Sequence, residues 1–225
     1  MNGNKATTDV AIAVALVSAC FATGAQAQTR SDRGLSLLPS APAMLDTSAV
    51  PIRAERFALE LGRARADGRT LPAIQRLVAP ARSLRPVDKL AFVQTVVNRQ
   101  VKWMSDTTLW GRHDYWATAA ETLEKGAGDM EDRAIVKMQA LHALGFGPND
   151  LFLTMARDRV GGPMTVLTAR VDGRYYILDD SGAAPFDSEK RRREFSPLMS
   201  FGLAGAWMHV GKTIYNTVRV AAAGK

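Results

Sequence analysis

Residues 126–145 read GAGDMEDRAIVKMQALHALG, and this stretch sets the organisation of the chain. A Gly-Ala-Gly turn leads to Asp129, which is a typical helix N-cap residue. Asp132 stands at the third position of a capping box, and acidic side chains in the first turn complement the helix dipole. Four apolar residues then recur on one helical face: Met130, Ala134, Met138 and Leu141. We predict a helix from Asp129 to near Gly145 with this face in the core.

The periodicity is helical before this segment and strand-like after it. Upstream, helices are predicted from about Ile52 to Arg65, after Pro72, from Pro86 to Met104 and from Ala117 to Lys125. Downstream, the short segments LFLTMARD, MTVLTARV and RYYILDD are typical of strands, and a further strand is predicted near Trp207 to Val210. Asp172-Gly173 between two of them indicates a two-residue hairpin. This order predicts an α+β fold with N-terminal helices packed on an antiparallel sheet.

The N-terminus is typical of an export signal that covers residues 1–27. Lys5 precedes an apolar run, and small residues end the segment before Gln28. Two interpretations are open, because VSAC ending at Cys20 resembles a lipobox and could make Cys20 a lipidated N-terminus. Both carry the protein across the inner membrane of a bacterium. We expect no transmembrane span after signal removal, a flexible arm over 28–50 and one domain over 51–225.

Composition narrows the possible chemistry. The chain has 225 residues, of which 47% are hydrophobic and 23% charged, as expected for one soluble domain. Cys20 is the only cysteine, so the mature domain has neither a disulfide nor a thiol. The net charge is +7, and removing residues 1–27 leaves it unchanged because Lys5 and Asp9 cancel. For an exported protein this balance indicates an anionic envelope surface, an acidic protein or simply an arginine-rich surface, and no nucleic acid is expected.

Several ordered blocks between about Pro86 and His209 resemble the bacterial transglutaminase-like cysteine proteinases. This is a periplasmic family that includes proteases clipping giant adhesins from the cell surface. The family sequence Gly-Asp-Cys-Glu-Asp matches Gly128-Asp129-Met130-Glu131-Asp132 here. Its His-x-Val-Leu-Thr-Val matches Met164-Thr165-Val166-Leu167-Thr168-Ala169, and its Leu-Asp-Asn matches Leu178-Asp179-Asp180. The resemblance implies a papain- or transglutaminase-like fold.

The family mechanism uses a Cys at a helix N-terminus, a His on the next strand and an orienting Asp on the strand after it. Carried over by resemblance, the nucleophile position is Met130 and the base position is Met164, while Asp179 keeps its type. A thioether can neither ionise nor accept the proton of a nucleophile. Because nucleophile and base act as a unit, we predict an inactive homologue that binds a peptide or an envelope protein.

The alternative is an active hydrolase with relocated catalytic groups, involving His113 or His142. Thr165 follows the lost base, but strand alternation is expected to turn it to the opposite face. Ser181 follows Asp179 and has no evident base. Asp179 itself, having lost its family partner, is expected to bond a backbone N–H, an Arg or water.

Two sets of residues are candidates for binding. Met130 and Met164 could fill the former catalytic pocket or line an apolar groove for a peptide, and the helical stripe favours core packing. Trp110 and Trp116 are interpreted as aromatic packing or, alternatively, as the lip of a binding site.

The resemblance also implies calcium, because carboxylates beside the catalytic Cys bind it in adhesin-clipping relatives. The matching positions are Asp129 and Glu131. Calcium prefers six or more oxygen ligands, so two acids alone fall short. Capping and the helix dipole account for both acids without an ion.

Overall fold

The computed structural model describes residues 41–212, except residues 159, 161, 182, 183, 193 and 204. These residues belong to one compact unit, Pro39–Lys225. The predicted export signal and most of the predicted arm lie outside the described residues. Within the described part of the chain, no helix is long and apolar enough to cross a membrane.

Among the described residues, six α-helices lie between a first strand, Thr47–Pro51, and the strands from Leu151 onward. They are α1 (Ala58–Ala64), α2 (Pro72–Val78), α3 (Pro86–Gln100), α4 (Asp106–Trp110), α5 (Ala119–Lys125) and α6 (Met130–Ala143). Single 3-10 turns cover Glu55–Phe57, Ala79–Ala81 and Ser188–Arg191. The helix predicted to reach Met104 ends at Gln100, because Val101 turns to an extended conformation and the next two residues pair as a strand.

The strands form one large sheet and one small one. They are β1 (Thr47–Pro51), β2 (Lys102–Trp103), β3 (Ala127–Gly128), β4 (Leu151–Asp158), β5 (Pro163–Val171), β6 (Arg174–Leu178), β7 (Phe186–Asp187), β8 (Phe195–Phe201) and β9 (Ala206–Gly211). The seven-stranded sheet has the order β1-β9-β8-β4-β5-β6-β7 with antiparallel neighbours, and β2 pairs with β3 in parallel. The predicted α+β class, with helices before an antiparallel sheet, is confirmed.

The N-terminal boundary of the sheet differs from the prediction. β1 pairs with β9 along its whole length. Its first four residues, 47–50, were predicted to belong to the flexible arm over 28–50. The segment TSAVP has no sustained alternation of apolar and polar residues, so its strand conformation comes from pairing with β9 rather than from a local pattern. β8 was not predicted either.

Helix α6 is the centre of the fold. It contacts α2, α3 and α5 on one side and β4 and β5 on the other. Ten of its fourteen residues are buried: Asp132, Arg133, Ala134, Ile135, Val136, Lys137, Met138, Gln139, Ala140 and Leu141. The predicted stripe is therefore in the core with one exception, since Met130 is partly exposed and belongs to neither apolar cluster of the described residues.

The hairpin between β5 and β6 follows the predicted turn chemistry. Asp172 and Gly173 have φ angles of +50° and +76°, which is the left-handed pair that a type I′ turn requires. An Ala at position 173 would meet no atom within 4 Å, so only its backbone conformation would be unfavourable.

We therefore expect Gly173→Ala to lower the free energy of unfolding by about 1–2 kcal/mol. Gly62 is the matched control, since it also has free space around it but lies inside α1 at an ordinary helical φ. Gly62→Ala should raise stability by roughly 0.5–1 kcal/mol. Urea denaturation of both variants measures the pair, and equal effects of the same sign would contradict the turn assignment.

Candidate functional site

The site is organised by the first turn of α6. Asp129 is extended and its carboxylate accepts the N–H of Asp132 at 3.4 Å, so the predicted N-cap is confirmed. Asp132 does not complete a capping box with Asp129. Its Oδ1 instead accepts the N–H of Ala117 at 2.7 Å, which fixes the loop after α4 against the start of α6.

Gly128 brings a second segment to the same place. It is paired with Trp103 across the parallel β2–β3 bridge, and its carbonyl accepts the N–H of Met104 at 3.1 Å. A Cβ at position 128 would lie 2.6 Å from the Cβ of Asp132, so the close approach requires glycine. Trp103 is 58% exposed beside this bridge. Trp103 was not among the residues predicted to bind a ligand.

Three carboxylates converge where these segments meet. Oxygens of Asp106, Asp129 and Asp132 all lie within 4.8 Å of one another. Asp106 Oδ2 accepts the N–H of Tyr115 at 2.6 Å. Asp106 Oδ1 and Asp132 Oδ2 are buried and receive no hydrogen bond from the described residues. When Asp129 is ionised, both oxygens are left without a donor; its protonated carboxyl can donate to Asp106. Unpartnered oxygens are unfavourable for buried carboxylates and favourable for a bound cation.

Burial and mutual repulsion disturb the protonation of this carboxylate cluster, Asp106, Asp129 and Asp132. Burial, reinforced first by the charge of Glu131, raises the pKa of Asp129 to about 9. Burial, with the charges of Asp106 and Glu131, raises the pKa of Asp132 to about 7, although the bond from Ala117 opposes the rise. Burial also raises the pKa of Asp106.

Glu131 links the cluster to the sheet. Its Oε1 accepts the hydroxyl hydrogen of Thr165 at 2.6 Å, which ties the start of α6 to β5. The two predicted ligands differ in their partners: Asp129 joins Asp106 and Asp132, and Glu131 bonds Thr165 while its carboxyl also interacts with that of Asp129. The burial of Glu131 raises its pKa.

The bond to Thr165 also corrects the expected orientation of β5. Strand alternation was expected to turn Thr165 away from the site, but it is Thr165 that reaches the first turn of α6. Met164 packs against the smaller apolar cluster, which consists of Met44, Ala156, Val166, Ile177 and Phe195. Met164 also lines a cavity of about 330 Å³ together with Asp179 and Phe186.

Asp179 follows β6 and is held by several donors. Its Oδ1 accepts the N–H and the hydroxyl hydrogen of Ser181 at 3.2 and 2.7 Å and the side-chain amide of Gln94 at 3.4 Å. The expectation of a backbone N–H partner is confirmed. Its carbonyl accepts hydrogen bonds from Lys137 Nζ at 2.6 Å and Asn98 Nδ2 at 3.1 Å. The position of Asp179 is therefore fixed by both α3 and α6.

Lys137 is a buried cation on α6 beside this loop. Burial lowers the pKa of Lys137 to about 7, and the nearby Asp180 and Asp179 limit the decrease. Arg133, one turn earlier on α6, lies 3.8 Å from Asp180 and donates to the carbonyl of Val101. These two side chains join the loop after β6 to the core helix.

The two tryptophans proposed for binding have different environments. Trp116 is 3% exposed and packs edge-on against Phe201, so its core position supports the packing interpretation and contradicts the binding lip. Trp110 is partly exposed and stacks on Tyr115, with the Lys125 ammonium 5.4 Å from the centroid of its ring.

Of the two histidines considered for a relocated mechanism, His142 is remote from Met130. His142 lies twelve residues further along α6, about 18 Å away by helical rise. Its Nδ1 contacts the carbonyl oxygen of Phe146 at 3.0 Å, and burial lowers its pKa. His113 is exposed in the loop before Tyr115.

Comparisons with known proteins agree with this architecture. The family model of the bacterial transglutaminase-like cysteine proteinases matches residues 74–213. The solved structure of Legionella pneumophila LapG is 25% identical, with a TM-score of 0.53 over 60% of this chain and 76% of LapG. A structure of EGTA-treated LapG has the same identity and TM-score and covers 60% and 74%. A search among curated proteins found no match.

The raised pKa values of the carboxylate cluster predict how the stability of the metal-free protein, measured in EDTA, depends on pH. Asp132 keeps its proton in the folded state up to about pH 7, whereas an unfolded Asp loses it near 3.8. Stability is therefore greatest below the unfolded pKa and falls as pH rises towards 7. Asp132→Asn retains an oxygen for Ala117 but cannot ionise.

We expect wild-type protein to lose about 2–4 kcal/mol more than Asp132→Asn between pH 4 and pH 7. Denaturant unfolding at each pH measures the difference. Asp88→Asn, at an exposed pair with Arg85, should follow the wild type. Parallel curves for wild type and Asp132→Asn would contradict the raised pKa.

Proposed function

This chain belongs to the bacterial transglutaminase-like cysteine proteinase family, and from that premise we propose that it binds a peptide or protein partner without cleaving it. The observation that carries the proposal is the side chain at the start of α6. The family nucleophile position, carried over by resemblance, is Met130, which is partly exposed and carries no ionisable group. A methyl-capped sulfur cannot become the thiolate that the helix N-terminus would stabilise.

The surroundings of Met130 favour binding over a rebuilt mechanism. Trp103 is exposed on the strand paired with Gly128, two residues before Met130. An aromatic ring and a flexible thioether on neighbouring segments are suited to contact with apolar peptide side chains. The protic pair at this helix end, Thr165 and Glu131, is already joined by its own hydrogen bond. Of the histidines considered for relocated catalysis, His142 is too far along α6 to act as a base at Met130.

We also propose that the carboxylate cluster holds a divalent cation, with calcium as the candidate. Three carboxylates converge within 4.8 Å, and two of their buried oxygens have no donor. Calcium accepts oxygen ligands from carboxylates, carbonyls and water, so this cluster supplies a partial ligand set that solvent can complete. The cation would offset the effect of burial, and the added repulsion, that raises the pKa values of the three carboxyl groups. Asp106, absent from the sequence prediction, supplies the third carboxylate of the set.

The proposed location is the periplasm of a bacterium. The export signal over 1–27 supports it, with lipidation at Cys20 as the alternative. The predicted partner class is unchanged: a peptide or an envelope protein, and no nucleic acid.

The binding proposal predicts no turnover. Purified protein should not hydrolyse casein or a fluorogenic peptide library above the rate of a buffer blank, because the site lacks a nucleophile and a base. Hydrolysis that disappears on substitution of a residue beside Met130 would contradict it.

Peptides selected from a displayed library should bind through the Met130 face. We expect Met130→Lys and Trp103→Ala to weaken binding about tenfold or more, since each removes a central apolar contact. Leu59→Lys is the control, because Leu59 is 73% exposed on α1 outside this site. Fluorescence anisotropy measures the three variants, and equal affinities would place the binding surface elsewhere.

The cation proposal predicts that the melting temperature rises with the logarithm of the calcium concentration once this exceeds the dissociation constant of the site. Asp106→Asn keeps an oxygen for Tyr115 but removes one ligand charge, so it should lose most of the calcium-dependent shift and melt higher than wild type in EDTA. Asp88→Asn should keep the shift. Differential scanning fluorimetry with calcium and EDTA tests all three, and an unchanged shift in Asp106→Asn would contradict the site.

A further inference from the structure

A continuous row of side-chain hydrogen bonds crosses five strands of the large sheet. It runs from Thr168 on β5 through Thr154 on β4, Ser200 on β8 and His209 on β9 to Thr47 on β1. The donor–acceptor distances are 2.9, 2.9, 2.8 and 2.9 Å in that order. Thr168, Thr154 and Ser200 are fully buried. We call these five residues the polar row.

The direction of the polar row follows from its two ends. The Thr47 hydroxyl donates its hydrogen to the carbonyl of Met44 at 2.6 Å, so it must accept from His209 Nδ1. Nδ1 therefore carries the proton, and the bare Nε2 accepts from Ser200. Ser200 in turn accepts from Thr154, which accepts from Thr168. Each hydroxyl hydrogen is used once, and His209 is neutral.

Ser200 and His209 have the spacing of a nucleophile and its base, but they do not form a catalytic pair. Ser200 is fully buried, so no substrate carbonyl can reach its Oγ. The row is better explained by what it holds in place, which is the N-terminal strand β1.

The turn that precedes β1 has an unfavourable backbone conformation, which several contacts keep in place. Leu45 and Asp46, which precede it, have φ angles of 53° and 57°, in the region that favours glycine. Asp46 is fixed by Lys212, whose N–H donates to its carbonyl at 3.0 Å, and by ion pairs with Lys212 and Arg192. Leu45 donates its N–H to Glu189 at 3.2 Å. The strained turn would relax if these contacts and the Thr47 bond were lost.

The same turn closes the apolar cluster behind Met164. Met44 is 3% exposed and packs with Ala156, Val166, Ile177 and Phe195, against which Met164 lies. Displacement of residues 44–51 would therefore remove one wall of the cluster that supports Met164 and the adjacent cavity.

We propose that residues 44–51 form a latch that neutral His209 keeps closed and that protonation of His209 releases. A proton on Nε2 would face the hydroxyl hydrogen of Ser200, so Ser200 would have to turn this hydrogen away from His209, towards a different acceptor, and the bond that it now donates would be lost. The residues paired with or hydrogen-bonded to His209 are Ala49 and Thr47 on β1 and Ser200 on β8, none of which is charged. The charged groups at the ends of β1 and β9, Asp46 and Lys212, are paired with each other. The proposal of a latch does not rest on the proposed binding function.

Burial lowers the pKa of His209 to about 4 in the closed state. An exposed histidine has a pKa near 6.5, so the open state binds a proton that the closed state does not between these values. The closed state is favoured above pH 6.5, and opening increases as pH falls, by up to about tenfold per pH unit down to about pH 4.

Hydrogen–deuterium exchange of the purified protein tests the latch. After correction for intrinsic rates, β1 amides should open up to about tenfold more per pH unit from pH 6.5 to 4, while β4 and β5 amides stay protected. His209→Gln cannot take up a proton, so its β1 opening should be independent of pH over this range. Thr47→Val should expose β1 already at pH 7.

Two controls separate His209 from other acid-sensitive groups. If protonation of Asp46 or Glu189 released the strand, His209→Gln would retain the acid-induced opening, and the proposal would be wrong. Ring ¹⁵N shifts of His209 at pH 7 should show the Nδ1–H tautomer. The Nε2–H tautomer, or β1 opening that does not change with pH in the wild type, would also overturn it.

Discussion

The burial of α6 on all sides is the constraint on which the rest of the structure depends. A helix covered by three helices and two strands has one end available for chemistry, and here that end is the first turn after Asp129. The same burial forces its polar side chains to find fixed partners. Arg133 and Lys137 hold the backbone at Val101 and Asp179, and Gln139 bonds Gly68 and Ala64. These hydrogen bonds fix the backbone around the site, and none of them involves Met130.

The parts of the fold that the sequence predicts are those decided locally. Asp172-Gly173 specifies its hairpin through left-handed backbone angles, and the strands beside it alternate clearly. The end of α3 is set instead by pairing of β2 with β3, which no periodicity within α3 reveals. β1 is a strand because β9 is beside it. The helix and strand boundaries that were predicted wrongly are those set by pairing between distant segments of the chain.

The site divides in the same way. Asp129 was predicted as a cap from its position, and it is one. Asp106 lies 23 residues earlier in the sequence, and no spacing pattern connects it to the start of α6; only the fold brings the two carboxylates together. No local sequence feature distinguishes Trp116 from Trp103, yet Trp116 lies in the core and Trp103 is exposed. Strand register decides whether Thr165 or Met164 reaches the helix, and a local pattern does not fix which face is inward.

The acidic residues at the start of α6 limit which charged groups this site can hold. A helix N-terminus with one capping carboxylate needs no further charge, but here Asp106 and Asp132 add buried oxygens without donors. Such an arrangement lowers stability at neutral pH unless a proton or a cation neutralises it. A thiolate at position 130 would have increased that repulsion, whereas methionine does not. If the chain is the non-cleaving, cation-binding protein proposed above, a neutral side chain at position 130 makes the carboxylate cluster electrostatically easier to maintain than a thiolate would.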